Sequence, residues 1–355
     1  MKRGQYINGY LVVRDFTTAG GGLSKWTFAE KSGKEFFIKE FLRPVFPLAD
    51  AIGSSTTKQK RKEECDAFEI HHKELMNAIN SVSAPGGNLI STLDFFRFGS
   101  KYYKVTDKVD VTTLKAAQIS SLPLNQRLLI MTTIAHSLRI LHKVEIVHGD
   151  LKIDNVLIKR TRMGSYTSKL IDFDSSYFSG KPPLSAEDVV GDLVFFSPEL
   201  ARYIQKDTVT EGAHLTTQSD IFALGMLYCL YLTGQLPSFD KEKYRYGWMA
   251  VNSGENLQIA NATNLPSEIT GMILDMLHFN PAQRPSVEDV FNHLKGMVVA
   301  PELPTELPGE NPESLKESDA KSELRELLKS RIKGRNEDTS ESGENKLKGS
   351  LLKRK

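Results

Sequence analysis

The chain has 355 residues, 46 Lys+Arg against 44 Asp+Glu for a formal charge of +2, and two cysteines. That balance gives no bulk electrostatic pull toward nucleic acid or a membrane surface. Two cysteines are too few for a disulfide framework, so a reducing, cytoplasmic setting is expected. The N-terminus lacks a signal-peptide pattern, and the longest apolar run, Phe222 to Leu232, is too short to cross a bilayer and is broken by Gly225.

In chain order, Tyr10 to Val13, Lys25 to Ala29 and Glu35 to Ile38 read as short strands, with Gly20-Gly21-Gly22 and Lys31 to Lys34 as the turns between them. Residues 42–60, with Pro44, Pro47, Gly53 and a Ser/Thr cluster, read as a long loop. Over 61–80, Phe68, His72, Leu75 and Ile79 recur at helical spacing. Strands return over Leu89 to Phe98 and Tyr102 to Val109. Leu124 to His142 is a strongly apolar helix, and a strand-and-loop stretch follows from Ile146 to Asp174. Further helices are expected at Pro198 to Tyr203, Asp220 to Thr233, Ser267 to Leu277 and Ser286 to Leu294. A β-rich first third and a mainly helical remainder make an α+β layout.

From about residue 300 the chain turns Pro/Glu-rich and then densely charged, without aromatics, a composition expected to stay disordered. Within it, Leu324, Leu327, Leu328 and Ile332 lie near helical spacing, with acids leading and bases trailing. A short helix over 318–333 is expected there, and it offers a docking element for a partner.

The sharpest chemical signal is His148-Gly-Asp-Leu-Lys-Ile-Asp-Asn155. Asp150, Lys152 and Asn155 sit at offsets that let one loop aim all three side chains at one centre. A carboxylate there can accept a hydroxyl proton, an ammonium can neutralise a phosphoryl oxygen, and an amide oxygen can hold a metal. Asp172 ends a short strand and supplies a hard oxygen ligand suited to Mg²⁺. Lys39 ends a strand behind the triple glycine, whose backbone N–H groups could approach phosphates.

These motifs, in this order, resemble the eukaryotic-type Ser/Thr protein kinases, over roughly residues 6–298. Ser197-Pro198-Glu199, Asp220 with Gly225, and Arg284 fall where that family has its late structural motifs, and the family pairs the glutamate with the arginine. The resemblance implies a bilobal fold, with an N-lobe over 1–110, a C-lobe over 111–298 and a tail over 299–355. It implies ATP- and Mg²⁺-dependent transfer of the γ-phosphoryl group to Ser/Thr hydroxyls of proteins; from the balanced charge and the short apolar runs, no nucleic-acid or membrane partner is expected. Asp150 and Lys152 would be catalytic, and Asn155 and Asp172 would hold the metal. Gly20, Gly21, Gly22 and Lys39 would meet the phosphates. Thr106, Asp107, Val109 and Leu157 would line the adenine pocket. Glu74 is the expected partner of Lys39, with Glu69 as the alternative.

The chain also departs from the family pattern. Gly149 stands where most members have arginine. Asp174 replaces the glycine of DFG, Phe37 replaces a small residue before Lys39, Asp192 replaces a threonine after Gly191, and the glycine loop is irregular. Glycine at the end of DFG permits backbone flips, whereas Asp174 costs more at positive φ, so the flipped, inactive arrangement is expected to be rarer than in DFG kinases. Two other functions compete with a protein kinase: a small-molecule kinase of the aminoglycoside or choline kinase type, and a catalytically silent binding module. Lys152, the Ser197-Pro198-Glu199 motif, Asp220 and Arg284 favour the protein kinase over the former, and intact Lys39, Asp150, Asn155 and Asp172 favour it over the latter.

Overall fold

The structure, a computed structural model, describes residues 2–298 apart from 19–23, 51, 85–86, 110–112, 162–163, 184–188, 208, 261 and 263–264. The chain divides into two units, Met1–Val299 and Ala300–Lys355. The second lies outside the described residues, as do the short helix expected over 318–333 and Gly20, Gly21 and Gly22.

The N-terminal part builds one antiparallel sheet from β1 (Tyr6–Ile7), β2 (Tyr10–Val12), β3 (Ser24–Lys31), β4 (Lys34–Phe41), β5 (Thr92–Phe98) and β6 (Lys101–Asp107). The strand order is β1-β2-β3-β4-β6-β5, so β4 and β6 lie inside the sheet. Aromatic and β-branched residues favour these pleated segments. The β3–β4 hairpin closes at Ser32 (φ 52°) and Gly33 (φ 74°), the two left-handed positions that a tight two-residue turn requires. That turn fixes the register: Lys39 lies opposite Trp26 on β3 and opposite Lys104 on β6. Directly opposed residues share a face, so one face of the sheet carries Trp26, Lys39 and Lys104 together.

Helix α1 spans Ser55–Val82 and is longer than the periodicity suggested. The Ser/Thr cluster assigned to a loop is its first turn: the Ser54 hydroxyl accepts from the Thr57 N–H at 3.2 Å and caps the helix. Cys65, His72, Leu75 and Ile79 form its buried stripe. His72 lies among the rings of Phe41, Phe68 and Phe95, with centroids 5.0, 4.2 and 5.0 Å away.

The C-terminal part is helical: α2 (Ala116–Ser120), α3 (Leu124–His142), α4 (Pro198–Ile204), α5 (Gln218–Thr233), α6 (Gly247–Asn252), α7 (Ser267–Met276) and α8 (Val287–Met297). The short helices α2 and α6 escaped the periodicity reading because neither is long enough to show a repeat. Helix α5 is buried on nearly every side, which is why its sequence is apolar all round. Gly225 lets α7 approach: a Cβ there would meet Met276 and Leu277 at 3.1 Å. Two small ribbons carry the chemistry-bearing loops. These are β7 (Ile146–Val147) with β10 (Tyr177–Phe178), and β8 (Val156–Arg160) with β9 (Tyr166–Leu170). The result is a sheet lobe and a helical lobe within one compact unit.

Candidate active site

Three of the sequence-nominated side chains converge on the loop between β7 and β8. The Asp150 carboxylate accepts from Lys152 Nζ at 2.8 Å and from Asn155 Nδ2 at 2.9 Å on Oδ2, and from the Asp192 N–H at 3.1 Å on Oδ1. Asn155 Nδ2 also donates to the Asp150 carbonyl at 2.7 Å. With both amide protons directed at Asp150, the Asn155 oxygen is the atom this side chain offers to a cation. The Ile171 N–H donates to the Asn155 carbonyl at 3.0 Å, which brings the end of β9, and Asp172 after it, alongside Asn155.

The loop is held from beneath by α5. Asp220 is 2% exposed, and its carboxylate accepts from the His148 N–H at 2.7 Å, the Gly149 N–H at 3.1 Å and His142 Nε2 at 3.0 Å. Gly149 has φ 78°, and a Cβ there would collide with the Ser175 carbonyl. The backbone itself therefore excludes arginine at this position. Further along, Arg284 donates to both Glu199 oxygens, at 2.7 and 2.8 Å, with both side chains buried. Burial pushes the Glu199 carboxyl upward, but the Arg284 hydrogen bonds and charge outweigh it, so the group stays below the usual carboxylate range.

The second half of the site faces the sheet. Lys39 Nζ donates to both oxygens of Asp172, at 2.8 and 2.9 Å, and to Asp174 Oδ2 at 2.6 Å. Lys104 Nζ donates to the other Asp174 oxygen at 2.6 Å. The Lys39 and Asp174 side chains are only 12% and 18% exposed, Lys104 is 8%, and Asp172 is 36%. Burial works against the Lys39 ammonium, yet Asp174 and Asp172 hold its pKa above the usual lysine value. Burial likewise works against the Asp174 carboxylate, yet Lys104 and Lys39 hold it well below the usual range. Phe173 between the two acids is buried against His148, with centroids 5.2 Å apart.

Comparison with known proteins settles the family. The model for the protein kinase domain matches residues 54–294. The chain belongs to the protein kinase domain family. It is 33% identical over 153 residues to a probable serine/threonine-protein kinase PknB of Lactococcus lactis, covering 42% of this chain and 22% of that protein. It is 25% identical over 304 residues to protein kinase kin1 of Schizosaccharomyces pombe (82% and 31%), and 28% identical over 243 residues to serine/threonine-protein kinase PrkC of Bacillus subtilis (67% and 32%). The chain thus spans about a fifth to a third of the length of these curated relatives. The family match begins at residue 54, so Lys39 and its hairpin owe their place here to the geometry of the sheet.

Within the kinase fold, some nominated residues stand elsewhere than expected. Neither of the two nominated glutamates on α1 is paired with Lys39. Glu74 is exposed, and Glu69 is bound to Lys73 at 2.6 Å. At about 100° per residue, Glu74 lies roughly 200° around the helix from His72, and it is His72 that faces the sheet. The left-handed residue of the Asp172-Phe173-Asp174 motif is Asp172, at φ 62°, whereas Asp174 sits in a tight right-handed turn over Phe173–Ser175. Asp192 approaches Asp150 with its backbone N–H, and its own carboxylate accepts from the Val194 N–H at 2.9 Å.

Thr106 lies half-buried at the end of β6, opposite Phe37, followed by Asp107 and a half-buried Val109, while Leu157 is buried on β8. Phe37 stacks on Trp26 with centroids 5.5 Å apart. Sequence reasoning missed Lys104 altogether. Its signal was a charge set between Tyr103 and Val105 in the buried middle of an inner strand, which demands a counter-ion.

Proposed function

We propose that this chain transfers the γ-phosphoryl group of ATP to Ser/Thr hydroxyls of protein substrates, and that it does so with Mg²⁺. The observation that carries the reading is the convergence of Lys152 and Asn155 on the Asp150 carboxylate, with Asp172 brought alongside. The donor set fits Mg²⁺: one carboxylate and one amide oxygen, with phosphate oxygens completing the shell. Among the described residues no group of three or more His, Cys, Asp or Glu could hold a metal alone, which suits a cation that arrives with its nucleotide.

Asn155 and Asp172 would hold the ion, which would neutralise charge on the phosphates when bound. Asp150 orients the attacking hydroxyl and takes its proton, Lys152 neutralises the phosphoryl oxygens, and Lys39 meets the α- and β-phosphates. Thr106 to Val109 and Leu157 line the adenine site. A non-catalytic nucleotide-binding reading draws on the Trp26–Phe37 stack, which bulks out the face shared with Lys39. We place the reaction in the cytoplasm, a setting supported by two free, buried thiols, Cys65 and Cys229. Among the described residues no helix is long and apolar enough to cross a membrane. We also propose that the segment 318–333 recruits a protein partner.

The test is phosphoryl transfer from labelled ATP to a generic protein substrate, followed by phosphoamino-acid analysis. Asp150→Ala should retain nucleotide binding and lose about 10²–10⁴-fold in turnover. Asp172→Ala should be silent, and near-wild-type transfer by it would overturn the assignment.

A further inference from the structure

Lys39 and Lys104 are direct cross-strand neighbours on one face of the sheet. Two ammoniums in that relation repel, and in a poorly solvated place neither is tolerated without an anion. The residue of α1 that faces them is an uncharged imidazole, because burial drives the His72 pKa down from 6.5 to about 3. The carboxylate comes from the other lobe, where Asp174 divides its two oxygens between the two ammoniums at 2.6 Å each.

We propose that Asp174 is the positioning residue for Lys39, performing with Lys104 the task that the glutamate on α1 was expected to perform. This rests on the kinase reading above. Asp172 cannot do the same work alone. It is the more exposed of the two acids and the one suited to a cation, so its hold on Lys39 competes with its service to the metal. Asp174 has both oxygens committed to ammoniums and keeps Lys39 aimed whatever Asp172 binds. Lys104 supports that commitment, since it holds the Asp174 oxygen that Lys39 does not bind. Because the anchor lies on β6, Lys39 is aimed without a carboxylate from α1.

The test separates positioning from stability. Asp174→Asn leaves two enclosed ammoniums beside one carboxylate and is expected to lower both the melting temperature and turnover. Asp174→Asn combined with Lys104→Met removes one cation with the anion, so the melting temperature should return toward wild type. Positioning predicts that kcat in this double variant stays depressed, by about 10²-fold as for a small misplacement in a catalytic centre. It also predicts Mg²⁺-free ADP binding weakened about tenfold, the loss of one charge-assisted hydrogen bond. Adding His72→Glu returns a carboxylate to the face of α1 that looks at Lys39, and should restore both ADP affinity and kcat.

A double variant whose kcat and ADP affinity recover together with its melting temperature would overturn the proposal, because the cluster would then be structural only. So would a triple variant that recovers nothing. Wild-type protein that neither binds ADP nor transfers phosphate would overturn this proposal together with the kinase reading. Active wild type with an equally active double variant would overturn this proposal alone.

Discussion

Two enclosed ion clusters sit in the same unit and are built on opposite plans. Glu199 and Arg284 form a closed pair. The arginine spends its remaining donors on the carbonyls of Gln218, His278 and Phe279, and Ser219 donates to Glu199 at 3.0 Å. Every polar atom has a protein partner and nothing is left to exchange with a ligand. Among the described residues, the cluster of Lys39, Lys104, Asp172 and Asp174 holds two cations and two anions with no such set of neutral donors, and one of its acids is a third exposed. The first arrangement is a brace between α4 and the segment before α8. On the proposed reading, the second trades partners when phosphates and a cation enter. Closure by neutral hydrogen bonds, more than burial itself, separates a structural ion pair from a working one.

The largest expected effect breaks the brace. Glu199→Ala strands a buried guanidinium, and removing one partner of such a pair typically costs about 3–5 kcal/mol. Denaturant unfolding should show that loss, while Glu199→Ala combined with Arg284→Met should recover much of it. If the single variant unfolds like wild type, the pair is not the closed unit described.

A smaller effect lies where α5 meets the catalytic loop. Gly149→Ala forces a side chain onto a left-handed residue, a strain of about 1–2 kcal/mol, and pushes against the Ser175 carbonyl. The loop carrying Asp150 must then shift relative to the segment carrying Asp172 and Asp174. Turnover should fall about 10²-fold, with Mg²⁺-free nucleotide affinity unchanged. Normal turnover would mean that this contact is slack. The same close approach encloses Ser176, which donates to the His148 carbonyl at 2.9 Å and is 2% exposed, so a phosphate on that serine has no room.

Much of this was legible in the chain. Asp150, Lys152 and Asn155 are spaced so that a short loop aims them together, and helices such as Leu124–His142 announce themselves by periodicity. What was not legible required pairing across distance. Lys104 and Asp174 are 70 positions apart, and no local pattern links them. A glutamate on α1 was the expected partner of Lys39, but helix register turns His72 inward instead. The sequence shows Gly149 only as a departure from the usual arginine, whereas its cause is a left-handed backbone angle beside the Ser175 carbonyl. The start of α1 was missed because a Ser/Thr run reads as loop until one hydroxyl is seen capping the turn.

The mildest perturbation tests whether the working cluster tolerates a third cation. His72 is enclosed by Phe41, Phe68 and Phe95, and the charged and titratable groups facing it are Asp174, Lys104, His71 and Lys39. Its ring titrates near 6.5 when unfolded and near 3 when folded. Between those values only the unfolded chain binds the proton, so stability is complete above pH 6.5 and declines as pH falls, by at most about 1.4 kcal/mol per unit for one proton. His71 and His136 are also held low by burial and add to the slope in the same direction. His72→Phe preserves the aromatic stack and deletes one of these protons. Unfolding free energies measured from pH 6.5 down to 4.5, above the range where Asp174 titrates in either state, should therefore fall less steeply in the variant, by up to one proton. An unchanged slope would mean that the folded protein accepts a charged His72. Asp174 would then balance three cations, and the cluster would be more permissive than its two short Asp174 contacts indicate.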